Sequence, residues 1–375
     1  MARNIFGDPK TQSQIDGPSL ATEDDDSQPK VSWLGRLVRN ITHAQVPDAE
    51  RARELRRAVR SQDHKAAEKL LAGGVGVYED QEASLGCIAT RRSDQDMLDL
   101  LIRAGVDINQ ADRRSRDHKS RTPLMEAARK GWEDGIKLLL DAKANTEVAD
   151  ETGATALSLA VRGGKIAAVR QLLAAGANPN GTGGPDQQQM VPLHEAANEE
   201  MVDALLNAGA YVNARDRQGF TALHYHARAG RVGIMRRLLA AKADVDALDK
   251  NNRSPLFMIG QRGDCLGALN AMIEGGANLD LIDREQNTFI HLVCARAEDP
   301  RVFELLVGVR PLMFARQNQV GETPRDILNV RGYREMATRL TMTEDERRRK
   351  GDFVAPERRN LMAAARNLGQ PPENK

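Results

Sequence analysis

The stretch DRQGFTALHYHARAGR (216–231) decides the fold of this chain, because parts of it return throughout the sequence. It places His224 and His226 on either side of Tyr225, a combination that could suggest a metal or catalytic site. On a helix these two histidines would lie about 200° apart, so they would point to opposite sides and could not readily share a metal ion. The other interpretation is a structural role for the two histidines. Internal repeats in the sequence decide between these interpretations.

A four-residue phrase, Thr-Ala-Leu-His at 221–224, recurs at a nearly constant interval. Its variants are Thr-Pro-Leu-Met (122–125), Thr-Ala-Leu-Ser (155–158), Val-Pro-Leu-His (191–194), Ser-Pro-Leu-Phe (254–257), Thr-Phe-Ile-His (288–291) and Thr-Pro-Arg-Asp (323–326). Their first residues are separated by 33, 36, 30, 33, 34 and 35 positions. A second phrase, such as Leu-Leu-Ala-Ala-Gly-Ala-Asn at 172–178, follows the first. A period of this length indicates an array of stacked structural repeats.

The two phrases and their period resemble the ankyrin repeat over about 48–340. The resemblance implies an all-α solenoid of stacked helix–turn–helix units with β-turn fingers. A Thr before Pro can cap the first helix, and Gly or another permissive residue after the second helix supplies a left-handed C-terminal cap. A single helix pair buries too little apolar surface to stand alone, so pairs stack. The resemblance also implies that His224, with His194 and His291, braces the turns between repeats.

Four segments are predicted along the chain. Residues 1–30, with an acidic run at 23–26, are predicted to form a disordered arm. Residues 31–46 predict a short amphipathic helix that packs on the first repeat or contacts a membrane surface or partner, through Trp33, Leu34, Leu37 and Ile41. The repeat domain spans 48–340 with a capping repeat at each end, and 341–375 is a charged, partly disordered tail.

Three repeats depart from the regular spacing. A basic insert, RRSRDHKSR at 113–121, lengthens one turn, and GTGGPDQQQM at 181–190 lengthens another. His194 precedes Leu205 by 11 positions, whereas His224 precedes Leu238 by 14. About one helical turn or an inter-helix loop is therefore missing from the repeat that begins at Val191, and we expect a local weak point or bend there.

The sequence offers no enzymatic machinery, and we predict no catalytic, cofactor-binding or metal-binding residues. The flanks lack phosphate-binding loops and metal-binding patterns, and each is shorter than a usual catalytic domain. Three widely separated cysteines fit a reducing cytosol, and no apolar run reaches the length of a membrane span. We expect a cytoplasmic protein and a monomer. The Ala-, Arg- and Gly-rich composition suggests a bacterial source, which leaves open secretion into a host cell without a classical signal peptide.

The resemblance further implies a concave binding surface made of finger tips and first helices. The acidic residues available to a partner at those positions are Glu151, Glu285 and Glu322. Four aspartates are not counted with them, because each begins a turn and is expected to be held there. They are Asp150, Asp216, Asp249 and Asp283. The basic residues at these positions are Lys119, Arg121, Arg129, Lys130, Arg162, Arg217, Arg228, Lys250, Arg253, Arg262, Arg284 and Arg296. Those in the last turn of a helix also suit its dipole, so a functional groove and dipole matching both remain open.

The sequence therefore predicts a non-enzymatic scaffold or adaptor that binds an acidic protein partner through a basic groove. Nucleic acid is disfavoured, because single-strand binders usually present aromatic platforms and only Phe220 lies near the groove. One alternative is a secreted bacterial effector that uses the same surface on a host protein. Another is a peripheral membrane adaptor anchored by residues 31–46. The acidic run at 23–26 could itself occupy the groove when no partner is bound.

Overall fold

A computed structural model describes residues 48–73, 84–112, 120–181, 189–260, 264–296, 300–309, 314, 316–339 and 341. The predicted arm at 1–30, the predicted helix at 31–46 and all of the predicted tail except Thr341 lie outside these residues. Lys119 and Arg262 of the predicted groove also lie outside them.

The described residues form helix pairs that follow one another along the chain. The pairs are α1 (Asp48–Ser61) with α2 (His64–Ala72), α3 (Leu85–Arg92) with α4 (Gln95–Arg103), α5 (Pro123–Lys130) with α6 (Glu133–Asp141), α7 (Ala156–Arg162) with α8 (Ile166–Ala174), α9 (Pro192–Glu195) with α10 (Glu199–Asn207), and α11 (Ala222–Arg228) with α12 (Val232–Ala240). A 3₁₀ turn (Pro255–Met258) then pairs with α13 (Cys265–Glu274), α14 (Phe289–Arg296) pairs with α15 (Pro300–Val309), and α16 (Pro324–Val330) precedes a helical segment at 334–339. The part of the chain that is described contains isolated β-bridges but no strand, which confirms the predicted all-α repeat fold.

The core is a stack of aliphatic side chains that recur from repeat to repeat. The leucine of the four-residue phrase is at most 1% exposed in five successive repeats, at Leu124, Leu157, Leu193, Leu223 and Leu256. One leucine of each second helix is equally buried, at Leu101, Leu139, Leu172, Leu205 and Leu238. Because each of these side chains packs between neighbouring repeats, the core runs the length of the array rather than forming one centre.

The predicted helix starts and ends are confirmed. The hydroxyl of Thr122 accepts a hydrogen bond from the backbone N–H of Met125 at 3.3 Å, with Pro123 in the first turn of the helix. After the second helices the chain turns through the left-handed region, at Gly176 with φ 86° and at Lys143 and Lys242 with φ 65° and 66°. The two lysines occupy a conformation that favours glycine.

The first helix of the repeat that begins at Val191 is shortened. Helix α9 has four residues, whereas α11 has seven, so the missing turn predicted from the spacing is lost from the first helix. Ala196 leaves the helical region with φ −52° and ψ 127°. A guanidinium nitrogen of Arg231 then donates to the Ala196 carbonyl at 2.9 Å, which satisfies an acceptor that a longer helix would have used.

Candidate partner-binding surface

The fingers are tight turns organised by the side chain at the first position, which is an aspartate in all but the last of them. In the finger at 216–220, one carboxylate oxygen of Asp216 accepts from the backbone N–H groups of Gln218 at 2.7 Å and Phe220 at 2.8 Å. The Asp216 N–H donates to the Phe220 carbonyl at 2.9 Å, and Gly219 adopts φ 85°. The predicted role of these aspartates as local turn formers is therefore confirmed, and their charge is used within the turn.

The same arrangement recurs in the fingers that begin at Asp150, Asp249, Asp283 and Asn318. Backbone hydrogen bonds also join the last four fingers to one another. The N–H of Lys250 donates to the Gln218 carbonyl at 3.0 Å, that of Arg284 to Asn251 at 3.1 Å, and that of Gln319 to Glu285 at 2.9 Å. Four fingers thus form one continuous edge with a fixed register.

The three repeated histidines join neighbouring repeats, as predicted. Nδ1 of His224 accepts from the Thr221 backbone N–H at 3.1 Å, which leaves the proton on Nε2. Nε2 donates to the carbonyl of Arg253 in the next finger at 3.1 Å. His194 bonds in the same way to Val191 and to the Phe220 carbonyl, and His291 to Thr288 and the Glu322 carbonyl.

Burial sets the protonation of these rings. It lowers the pKa of His224 to about 4 and also lowers the pKa of His194 and His291. His226 is buried as well, donates to the Leu193 carbonyl at 3.2 Å and has its pKa lowered to about 4 by burial. Over the described residues, no group of three or more His, Cys, Asp or Glu is placed to hold a metal ion.

Arg121, which was predicted to lie in the groove, is instead buried beneath it. Its side chain is 7% exposed and lies 3.7 Å from Glu126 and 3.8 Å from Asp150. Glu126 is also buried, and it pairs with Arg129 at 3.0 Å and with Arg91 at 3.4 Å. The prediction for Arg121 is therefore corrected, because its guanidinium is packed inside a network of alternating charges and is not presented to solvent.

Two helix-end residues bind backbone carbonyls of the preceding repeat. Nζ of Lys130 donates to the carbonyls of Thr90 at 3.2 Å and Arg91 at 2.9 Å, at the end of α3. A guanidinium nitrogen of Arg296 donates to the Ile259 carbonyl at 2.6 Å. A cation is attracted to the carbonyl groups at the C-terminal end of a helix. These contacts therefore give Lys130 and Arg296 a structural role.

Three further predicted residues are paired with carboxylates. Arg162 pairs with Glu195 of the next repeat at 3.1 Å, and Arg129 is held by Glu126. Arg253 pairs with Asp249 at 2.8 Å and lies over the ring of Phe220, 5.8 Å from its centroid. They remain partly exposed, but each has a local carboxylate that reduces its attraction for a partner.

Four predicted residues remain exposed without such partners. No hydrogen bond or ion pair joins the side chains of Arg217, Lys250, Arg284 or Arg228 to the other residues that the structure describes. Arg217, Lys250 and Arg284 each follow the first residue of a finger, in three adjacent fingers. We call these three residues the finger-tip ladder. Arg228 lies apart from it, in the last turn of α11.

Exposed arginines on the second helices provide a contrast. Arg170 pairs with Glu200 at 2.6 Å, and Arg237 pairs with Glu199 and Asp203, both at 3.4 Å. Each of these pairs links two neighbouring repeats. The second-helix side therefore balances much of its own charge, whereas the finger-tip ladder does not.

Sequence reasoning missed Arg91 and did not recognise the buried position of Glu126. A signal was available, because Glu126 follows Leu124 by two residues and so lies on the first helix facing the preceding repeat. In the structure Glu126 contacts Arg91 of that repeat, which lies 35 positions before it.

No helix among the described residues is long and apolar enough to cross a membrane. Residues 85–183 and 193–264 match the family described as ankyrin repeats. The curated protein named ankyrin repeat and KH domain-containing protein mask-1, from Caenorhabditis elegans, is 34% identical over 146 residues, which are 38% of this chain and 6% of that protein. The chain thus spans a small part of that relative, and a nematode relative gives no support to the expected bacterial origin.

The crystal structure of the ankyrin repeat domain of Bcl-3, described as a unique member of the IkappaB protein family, has a TM-score of 0.49 with this chain at 23% identity. The matched region covers 55% of this chain and 92% of the Bcl-3 chain. Together, the stacked helix pairs and the family match show an all-α fold of stacked repeats, in which residues 85–183 and 193–264 match ankyrin repeats.

Proposed function

We propose that this chain is a non-enzymatic scaffold that binds an acidic protein partner through the finger-tip ladder. The observation that carries the proposal is the ladder itself. Arg217, Lys250 and Arg284 occupy equivalent positions on three fingers, and no described carboxylate pairs with them. Exposed cations without local partners raise the local potential and speed the approach of an acidic surface.

The rigidity of the fingers supports the same function. Each of the last four fingers is held by its own aspartate or asparagine, by the neighbouring finger and, at three positions, by a histidine from the preceding repeat. A surface that is already ordered loses little conformational entropy when a partner binds. The binding residues are therefore presented in fixed positions rather than ordered by the partner.

The test is affinity capture from a lysate of the source organism with the full chain as bait. The wild type is compared with a variant that carries Arg217→Glu, Lys250→Glu and Arg284→Glu. The control carries Lys65→Glu, Lys137→Glu and Arg334→Glu, which make the same change in charge at exposed positions beyond the fingers. We expect acidic proteins to be lost from the ladder variant and retained by the control. Capture of the same set of proteins by all three chains would contradict the proposal.

Two alternatives to this role depend on segments outside the described residues. A peripheral membrane adaptor would use residues 31–46, so it requires vesicle binding that is lost with Trp33→Asp and Leu37→Asp. A secreted effector would use the same ladder on a host protein, and it requires export of the full chain that depends on residues 341–375. The membrane alternative leaves the test of the ladder unchanged, because residues 31–46 lie outside the ladder. The effector alternative requires the same three chains to be tested against a lysate of the host.

A further inference from the structure

The spacing of the finger-tip ladder is set by the stacking of the repeats. Packed helices lie about 8–10 Å apart, and equivalent residues of neighbouring repeats are displaced by a similar distance. The backbone bonds between fingers keep Lys250 in register with the finger of Arg217, and Arg284 in register with the finger of Lys250. The ladder is therefore a row of three positive charges with a separation of about 8–10 Å.

An acidic segment would have to repeat its charges at the same distance and on the same side. Polyproline II has three residues per turn and a rise of about 3.1 Å per residue, so every third side chain lies on one face about 9 Å from the previous one. A β-strand has a period of two, so residues three apart face opposite sides. An α-helix rises about 1.5 Å per residue, so it returns a side chain to nearly the same face at this distance only about every seven residues. It would need a segment about twice as long as polyproline II to reach the three ladder residues.

We infer that the finger-tip ladder binds an acidic protein segment in the polyproline II conformation, with an Asp or Glu at every third position. The inference rests on the proposed function, because it specifies the partner of the same surface. The matching segment is about seven residues long, with its first, fourth and seventh side chains paired with the three ladder residues. Both directions of the chain are compatible with charge matching alone.

The ladder has a defined end that makes the inference testable by a gain of binding. The next finger begins at Asn318 and is bonded to the finger of Arg284 through Gln319. Gln319 is exposed and occupies the position equivalent to the three cations, but it carries no charge. A basic residue there would extend the row by one repeat without altering the existing three positions.

The experiment measures binding of the full chain to labelled peptides by fluorescence anisotropy at low salt. The probe is Asp-Pro-Pro-Asp-Pro-Pro-Asp, in which proline favours polyproline II. Two control peptides have the same composition, one with contiguous aspartates and one with aspartate at every second position. An exposed ion pair changes affinity by roughly two- to fivefold, so we expect the probe to bind about tenfold more tightly than either control.

Substitutions in the chain locate the binding. Each of Arg217→Glu, Lys250→Glu and Arg284→Glu should weaken probe binding by roughly fivefold, whereas Lys137→Glu should not. Gln319→Arg should tighten binding of a ten-residue probe that has a fourth aspartate in the same spacing. It should tighten binding of the seven-residue probe much less, because that probe gains only a second register and no fourth ion pair. Such a selective gain cannot come from misfolding.

The outcomes distinguish this inference from the proposed function. Equal binding of the three peptides, lost in the ladder variants, would overturn the every-third spacing and leave the acidic partner in place. Binding that no ladder substitution changes would overturn both. If a single-stranded oligonucleotide binds through the same residues more tightly than the probe, the ligand is nucleic acid and both proposals fail.

Discussion

At the scale of single residues, the repeated histidines connect pH to the stability of the array. His224 accepts a hydrogen bond at Nδ1 and donates one at Nε2, so the neutral ring satisfies both partners. A second proton would place an N–H on Nδ1 opposite the N–H of Thr221. Protonation therefore opposes the contact that joins two repeats, in addition to charging a buried group.

The sign of the pH effect follows from the lowered pKa. His224 has a pKa of about 4 in the folded chain and about 6.5 when unfolded, so the unfolded state binds more protons between these values. Its contribution is complete above about pH 6.5 and is lost as the pH falls to about 4. For a shift of that size the contribution is at most roughly 3 kcal/mol, at about 1.4 kcal/mol per unit.

We expect His224→Gln to reduce the free energy of unfolding at pH 7 and to flatten its decline between pH 6.5 and 4.5. Urea denaturation at several pH values measures both effects. The control is His64→Gln, because the hydrogen bond to Asp94 raises the pKa of His64 and gives it the opposite dependence on pH. Parallel curves for the wild type and His224→Gln would rule out this assignment.

Single residues also show the limit of reading the groove from sequence. Arg121 and Arg217 are both arginines beside a finger turn, and composition treats them alike. Arg121 directly precedes Thr122, where the chain enters the first helix, and its side chain is buried between two acids. Arg217 lies at the tip and is exposed. The sequence could predict the repeat position of each residue, but the Glu126 network depends on contacts between repeats.

At the scale of elements, the turns after the second helices contain an avoidable strain. Gly176 and Gly209 take the left-handed conformation there with φ 86° and 88°, whereas Lys143 and Lys242 take it with φ 65° and 66°. A residue with a side chain is disfavoured in this region by roughly 1–2 kcal/mol. The sequence predicted a permissive residue at these positions, and the structure shows that lysine is accepted there.

We therefore expect Lys143→Gly and Lys242→Gly each to raise the free energy of unfolding by roughly 0.5–1 kcal/mol. Lys143→Ala and Lys242→Ala are the matched controls, since they remove the same charge and keep the strained conformation. Thermal and urea denaturation of the four variants would measure the differences. Glycine variants no more stable than their alanine counterparts would show that these turns carry no strain.

The shortened helix α9 gives a prediction about local stability. It has four residues, and a helix that short forms few internal hydrogen bonds. We expect backbone amides at 194–197 to exchange with solvent at least about tenfold faster than those at 224–228 in the next repeat. Hydrogen exchange followed by mass spectrometry tests this comparison, and equal protection would show that Arg231 and the neighbouring repeats fully compensate for the missing turn.

The interval between His194 and Leu205 was enough to predict a missing turn in this repeat. It could not show which helix had lost it, because either helix or the loop between them could have been shortened. The second helix keeps nine residues, since Met201, Val202 and Leu205 are fully buried between neighbours. Packing therefore preserves the second helix, and the first helix is the one that is shortened.

At the scale of the whole molecule, a net charge of +1 conceals an uneven distribution. Arginines on the second helices pair across neighbouring repeats, and the buried network around Glu126 compensates three others. The finger-tip ladder has no such compensation among the described residues. Fold and period could be predicted from the sequence because they depend on local phrases, whereas this imbalance depends on which charges meet in space.

We expect association with an acidic partner to slow as salt increases, because exposed charges are screened over about 8–10 Å at physiological ionic strength. Stopped-flow measurement of the association rate should show a steep salt dependence for the wild type and a shallow one for the ladder variant. The variant with Lys65→Glu, Lys137→Glu and Arg334→Glu should retain most of the wild-type slope. If the ladder variant keeps that slope too, steering comes from elsewhere on the chain.

The most direct test of the central claim is a charge exchange between the ladder and its ligand. The probe with aspartate at every third position, and its counterpart with lysine at those positions, are each titrated into the wild type and into the variant with Arg217→Glu, Lys250→Glu and Arg284→Glu. Pairing at the ladder predicts that the wild type prefers the acidic peptide and that the variant reverses this preference. An unchanged preference in the variant would contradict the claim that the finger-tip ladder is the binding site.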